Sequence, residues 1–81
     1  MIIKSQNGME LININNMFAL RVTYDEEIGK FCFGVENSIN EIDICIGIYT
    51  DEEQADDVFK KLTDALINGR EYFVMPKTER I

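Results

Sequence analysis

Cys32, Cys45, Lys4, Arg21 and Lys30 are the residues that offer this chain a chemistry, as a pair of thiols and as a set of anion-binding cations. If the two cysteines lie opposite each other on paired strands, their Cα atoms stand about 4.5 or 5.5 Å apart, within disulfide range. In a reducing compartment the same pair is two small, inert residues, and two sulfurs in a chain without histidine make only half a zinc set. Neither a metal nor a cofactor is therefore expected. Arg21, flanked by Lys4 and Lys30, has the fork and charge to meet a phosphate or an acidic partner. Equally, such cations keep a half-exposed sheet face in solution and protect strand edges.

Catalysis has little to draw on. Histidine, the commonest general base and the partner of a serine or cysteine nucleophile, is absent. Gly8, Gly29, Gly34, Gly47 and Gly69 are scattered singly and form no phosphate-cradling loop. Glu36 and Glu41 fall opposite each other near one turn, but no apolar pocket there would raise a carboxyl pKa. The chain is read as a non-enzyme.

The elements that position these residues follow from hydrophobic spacing. Ile42, Ile44, Ile46 and Ile48 alternate with polar or small residues, and at Thr50 the apolar period changes from two to about 3.6. Asn7-Gly8 is a type I′ hairpin signal that sets Ile3 against Ile12. A three-residue turn at Asn15-Asn16-Met17 sets Ile14 against Phe18 and Ile12 against Leu20. Asp25-Glu26-Glu27-Ile28 closes a third hairpin with Val22 against Phe31 and Leu20 against Phe33. Asn37-Ser38-Ile39-Asn40 closes a fourth, with Phe33 against Ile44 and Phe31 against Ile46. All four turns keep one apolar face continuous, which predicts a five-stranded antiparallel meander. Its other face carries Lys4, Leu11, Arg21, Cys32 and Cys45 in one row, with Ile2, Met9, Lys30 and Tyr49 nearby.

Thr50 and Glu53 form a capping box, and Ala55, Val58, Phe59, Leu62, Ala65 and Leu66 make the stripe of a helix that stops at Asn68-Gly69. Asp56 with Lys60 and Asp57 with Lys61 are i,i+4 pairs, so the charged run from Asp51 to Asp57 reads as a solvated face. Tyr72-Phe73-Val74-Met75 is a short last strand ended by Pro76. Its neighbour is left open between the Glu41–Tyr49 strand, reached by a right-handed crossover, and the opposite edge. The fold class is α+β: a five-stranded meander covered on one face by a single C-terminal helix and followed by a short last strand. Residues 1–76 form one domain, and 77–81 form a frayed tail.

At 81 residues and a formal charge of −7, the domain has a thin core and an acidic surface. Self-association is expected from the thin core, whereas direct nucleic-acid binding would need a basic footprint. No signal peptide or membrane run is visible, so the expected location is the cytoplasm.

Met1, Ile2, Ile3, Lys4 and Gln6, then Gly47, Tyr49, Glu53, Ala55 and Val58, then Tyr72, Met75 and Pro76 resemble the pattern of short, uncharacterised proteins of low-GC Gram-positive bacteria, their phages and prophages. That resemblance implies a mobile-element setting and action by binding, including binding of host-defence components, and it brings no catalytic residues.

The expected function is that of a small non-enzymatic binding protein acting as a homo-oligomer. Its interface would be drawn from Ile2, Met9, Leu11, Cys32, Cys45 and Tyr49, and its partners would be itself and another protein. The alternatives are sequestration of a small anionic ligand such as a signalling nucleotide at Lys4, Arg21 and Lys30, or inhibition by an acidic helix that imitates nucleic-acid charge.

Overall fold

The computed structural model describes residues 1–16, 19–36 and 43–78. Strands β1 (Ile2–Lys4) and β2 (Leu11–Asn13) are followed by a one-turn 3₁₀ segment, Ile14–Asn16. Strands β3 (Ala19–Asp25), β4 (Lys30–Glu36) and β5 (Asp43–Tyr49) lead into helix α1 (Glu52–Ile67) and a last strand, β6 (Tyr72–Val74). The class is α+β, with antiparallel hairpins and a single described helix. The expected single meander is corrected: these strands form two three-stranded sheets, β2-β1-β6 and β3-β4-β5.

The division begins after β2. Asn13 Oδ1 accepts the Asn15 N–H at 3.0 Å, and the Met1 ammonium donates to Asn15 Oδ1 at 3.1 Å. Short polar side chains that bond nearby backbone offer the chain a local turn in place of a ladder. The 3₁₀ turn therefore replaces the expected pairing of Ile12 with Leu20, while Met17 and Phe18 lie outside the described residues. The final strand takes the opposite-edge alternative. β6 runs parallel to β1, with Ile2 beside Tyr72 and Lys4 beside Val74, and Ile2 N–H to Glu71 O and Met75 N–H to Lys4 O extend the ladder.

The β1–β2 register is as expected, Ile3 against Ile12. The turn differs, because the Gly8 N–H closes on Ser5 O at 2.9 Å and Gly8 takes φ +76°. Gln6 is thereby freed from the hairpin. Its N–H donates to Ile46 O at 2.8 Å, its Nε2 donates to Ile48 O at 2.9 Å, and its Oε1 accepts the Ile48 N–H at 2.8 Å. One glutamine thus does for β5 what a neighbouring strand would do, and it joins the two sheets.

In the β3–β4 hairpin Asp25 stands opposite Lys30, Val22 opposite Phe33 and Leu20 opposite Val35. This is two residues from the expected register, because Gly29, at φ +68°, takes the turn's left-handed position and its N–H closes on Asp25 O. A shift of two leaves every side chain on its expected face. The β4–β5 ladder departs by an odd number. Val35 faces Ile44 and Gly34 faces Cys45, but Phe33 faces Gly47, Cys32 faces Ile48 and Phe31 faces Tyr49, so Ile46 is an inserted bulge residue. Beyond it the faces exchange, which moves Tyr49 inward and Ile48 outward. The turn expected at Asn37–Asn40, with Glu41 and Ile42, lies outside the described residues.

Ile3, Phe33, Ile46 and Tyr49 from the strands meet Ala55, Val58 and Leu62 of α1 and Met75 in one core. The helix caps one residue later than expected. Asp51 rather than Thr50 is the N-cap, and its carboxylate accepts the Glu53 N–H. Gly69, at φ +73°, ends α1 with Arg70 N–H to Ala65 O and Gly69 N–H to Leu66 O, a Schellman pair. The Asp57–Lys61 ion pair forms at 3.1 Å on the exposed face. Phe59 and Leu66 of the helical stripe are 40% and 44% exposed, so a helix ~10 Å across leaves part of the sheet uncovered.

Gln6→Ala leaves the Ile48 N–H and C=O without their partners at the junction of the sheets. It is expected to cost about 1–3 kcal/mol in urea-melting free energy, with the circular dichroism of the folded state retained.

Candidate functional site

The sheets turn their buried faces to α1 and their outer faces to solvent. On β2-β1-β6 the outer face carries Ile2 and Lys4 from β1, Leu11 and Asn13 from β2, and Tyr72 and Val74 from β6. Strand alternation places them together, because Ile3, Ile12 and Phe73 between them face the core. Leu11 is 67% exposed, Val74 51% and Tyr72 48%, and Met9 in the adjoining turn is 81% exposed. Lys4 lies between Leu11 and Val74 and is the one cation of this face among the described residues. Of the expected interface residues, the structure brings Ile2, Met9 and Leu11 together. Tyr72 and Val74 were missed at the sequence level because the last strand had no assigned neighbour. The alternation of Tyr72 and Val74 with Phe73 and Met75 was the available signal.

The outer face of β3-β4-β5 is polar by comparison. Arg21 stands opposite Gly34 and binds Glu36 at 2.7 Å, so its guanidinium is already engaged by a carboxylate of its own sheet. Lys30 sits at the hairpin end opposite Asp25. Lys4, Arg21 and Lys30 are therefore divided between two sheets rather than gathered in one row. Glu36 holds Arg21, and its expected neighbour Glu41 lies outside the described residues.

Cys32 and Cys45 are not directly opposite, which corrects the expected pairing. The Ile46 bulge sets Cys45 against Gly34 and Cys32 against Ile48, so the thiols are diagonal neighbours on the outer face. Cys45 is exposed and donates weakly to Gly47 O at 3.6 Å, whereas Cys32 is half-buried. Burial pushes the Cys32 thiol up from its ordinary value, and the neighbouring Cys45 and Asp25 add to the effect. Among the described residues no group of three or more histidine, cysteine or carboxylate side chains could hold a metal ion.

Tyr49 is corrected more strongly, from an interface residue to a fully buried one. Its hydroxyl donates to Pro76 O at 2.6 Å and its ring meets Phe33 edge-on at 5.4 Å between centroids. A Cβ on Gly47 would stand 3.1 Å from Tyr49 Cε2 and 3.0 Å from Met75 Cε, so the glycine lets both side chains rest on that backbone where a Cβ would push them back.

No family model, curated protein or solved structure matches the chain. No helix among the described residues is long and apolar enough to cross a membrane. Among the described residues, one sheet face is apolar apart from Lys4 and Asn13, and the other is polar, with an internal ion pair and two thiols.

Two outcomes check these assignments. Burial pushes the Tyr49 phenol from 10.0 up to about 12. A raised folded-state pKa gives stability that is complete below pH ~10 and is lost as pH climbs toward ~12. Urea midpoints should fall across that window. Tyr49→Phe should lose about 0.5–1.5 kcal/mol at neutral pH and show a shallower alkaline decline. With a thiol-specific disulfide reagent, Cys45 should react several-fold faster than Cys32, and Cys45→Ser should retain only the slow phase.

Proposed function

We propose that the chain is a small cytoplasmic binding protein without catalytic activity, which acts as a homo-oligomer and holds a second protein on the outer face of the β2-β1-β6 sheet. The observation that carries this is the clustering of Leu11, Val74, Tyr72 and Met9, each about half or more exposed, on one face of a small acidic domain. Exposed apolar side chains gathered on one face, here around Lys4 and beside Asn13, mark interaction sites in soluble proteins. The small, partly covered core adds the second part, since association supplies burial that a short chain cannot supply alone.

The anion-sequestering alternative has less support. A phosphate bound by Arg21 must displace Glu36 at 2.7 Å, and Lys4 belongs to the other sheet. A phage or prophage setting, as the resemblance of the termini and the strand-to-helix junction implies, suits a protein that works by occupying a partner.

Light scattering over a dilution series should give a mass that rises above one chain with concentration; a one-chain mass throughout overturns the oligomer. Leu11→Lys with Val74→Lys should retain the fold and lower the binding of an apolar fluorescent dye several-fold; unchanged dye binding removes the face from consideration. Titration calorimetry against a panel of nucleotides should show dilution heats only. A saturable exotherm would favour the anion-binding alternative.

A further inference from the structure

β3 is an edge strand with few of the devices that protect edges. It is seven residues long, contains no proline or glycine, and pairs with β4 in unbroken register from Ala19 to Asp25. The outer strands of the other sheet, β2 and β6, are three residues each, which is itself a protection. Among the described residues the only backbone bond made by β3 outside its ladder with β4 is the turn contact from Gly29 N–H to Asp25 O. A long edge to which no described strand is added is a template for one more strand.

We propose that this strand is supplied by a second copy: two chains pair β3 with β3 antiparallel about a two-fold axis through Thr23, and the two β3-β4-β5 sheets become one six-stranded sheet. The proposal rests on the homo-oligomer reading above and assigns the self-contact to β3, which leaves the β2-β1-β6 face for another protein.

Self-complementarity selects both the occupant and the register. With the axis at Thr23, Arg21 faces Asp25 of the second copy, Val22 faces its Tyr24, and Thr23 faces Thr23. Opposite charges, a β-branched residue with an aromatic one, and threonine with threonine are each favourable cross-strand pairs. The two-fold repeats the first two pairs, as a closed dimer requires. An axis at Val22 instead sets Arg21 against threonine and Asp25 against Ala19, so both charges lose their direct partners. Arg21 keeps Glu36 on its own sheet, and its five N–H donors suffice for a second carboxylate.

The core-side face of the same edge also needs a cover. Val22 is only half-buried, and Tyr24 is 54% exposed although its ring packs at a tilt against Phe31, 4.9 Å between centroids. In the Thr23 register each Tyr24 ring lies over the other copy's Val22. Five paired residues a side bury less than the ~800 Å² per partner of a standard interface, so the dimer is expected to dissociate on dilution.

Thr23→Cys in a Cys32→Ala, Cys45→Ala background tests the axis directly. Cα atoms across the pair stand about 4.5–5.5 Å apart, so mild oxidation should convert most of the protein to a disulfide-linked dimer on a non-reducing gel. Leu11→Cys in the same background should remain one chain. A second pair, Val22→Lys and Tyr24→Lys, should give a one-chain mass at concentrations where the parent is dimeric, with the helix signal in circular dichroism unchanged. An oligomer that cross-links through Leu11→Cys and not through Thr23→Cys, or that keeps its mass in the lysine variants, overturns the β3 pairing and leaves the homo-oligomer standing. A parent that stays at one chain at every concentration overturns both.

Discussion

The join between the two sheets rests on one residue, Gln6. Gln6 leaves the first hairpin and bonds β5 at Ile46 and Ile48, so that a sheet built from the two ends of the chain is held against a sheet built from its middle. The side-chain amide succeeds because it sets a donor beside an acceptor in the geometry of a peptide group, which an edge strand needs and few other side chains supply. The Ile46 bulge is its counterpart on β5. An extra residue leaves the regular ladder at the level where Gln6 arrives, and the Ile46 carbonyl turns to meet the Gln6 N–H.

From that junction the rest follows in order. The bulge exchanges the faces of β5, so Tyr49 enters the core and Ile48 leaves it. Tyr49 can be buried because its hydroxyl reaches Pro76 O, and Gly47 makes room for its ring beside Met75. Pro76 also receives a long contact from Gln6 Nε2 at 3.4 Å, so the glutamine and the tyrosine hold the same carbonyl from two sides. The segment after β6 is thereby fastened to both sheets, and β6 is held beside β1. Only then do Tyr72 and Val74 join Leu11 to make the apolar outer face.

Much of this was legible in the residues and some was not, for physical reasons. The inner positions Ile3, Ile14, Phe33 and Val35 could be read from period-two spacing alone, and even a wrong register between β3 and β4 did no harm because the error was two residues. Helix α1 and its glycine stop were equally legible from periodicity and local chemistry, although the N-cap fell one residue later, on Asp51. The exchange of faces in β5 was hidden, because Ile42, Ile44, Ile46 and Ile48 alternate without a break. An isoleucine at 48 competes with a tyrosine at 49 for one core position, and the tertiary hydrogen bond to Pro76 decides it. Gln6 reads as one more polar residue on a strand until its distant partner is known. For the candidate surface, Ile2, Met9 and Leu11 could be found from the first hairpin. Tyr72 and Val74 depended on where the last strand docks, and the scattering of Lys4, Arg21 and Lys30 depended on there being two sheets.

The parallel pairing of β1 with β6 also bears on the order of events during synthesis. β1 is the middle strand of its sheet, yet one of its two neighbours is made after every other described element, and the Gln6 to Pro76 contact spans 70 positions. The loop so closed is nearly the whole domain, and contacts of such sequence separation form late and slowly. Until β6 arrives, the apolar residues of β1 have only a three-residue hairpin partner to shelter them. The nascent chain therefore carries β1 without its second neighbour until β6 has been made, and the β2-β1-β6 sheet closes only then.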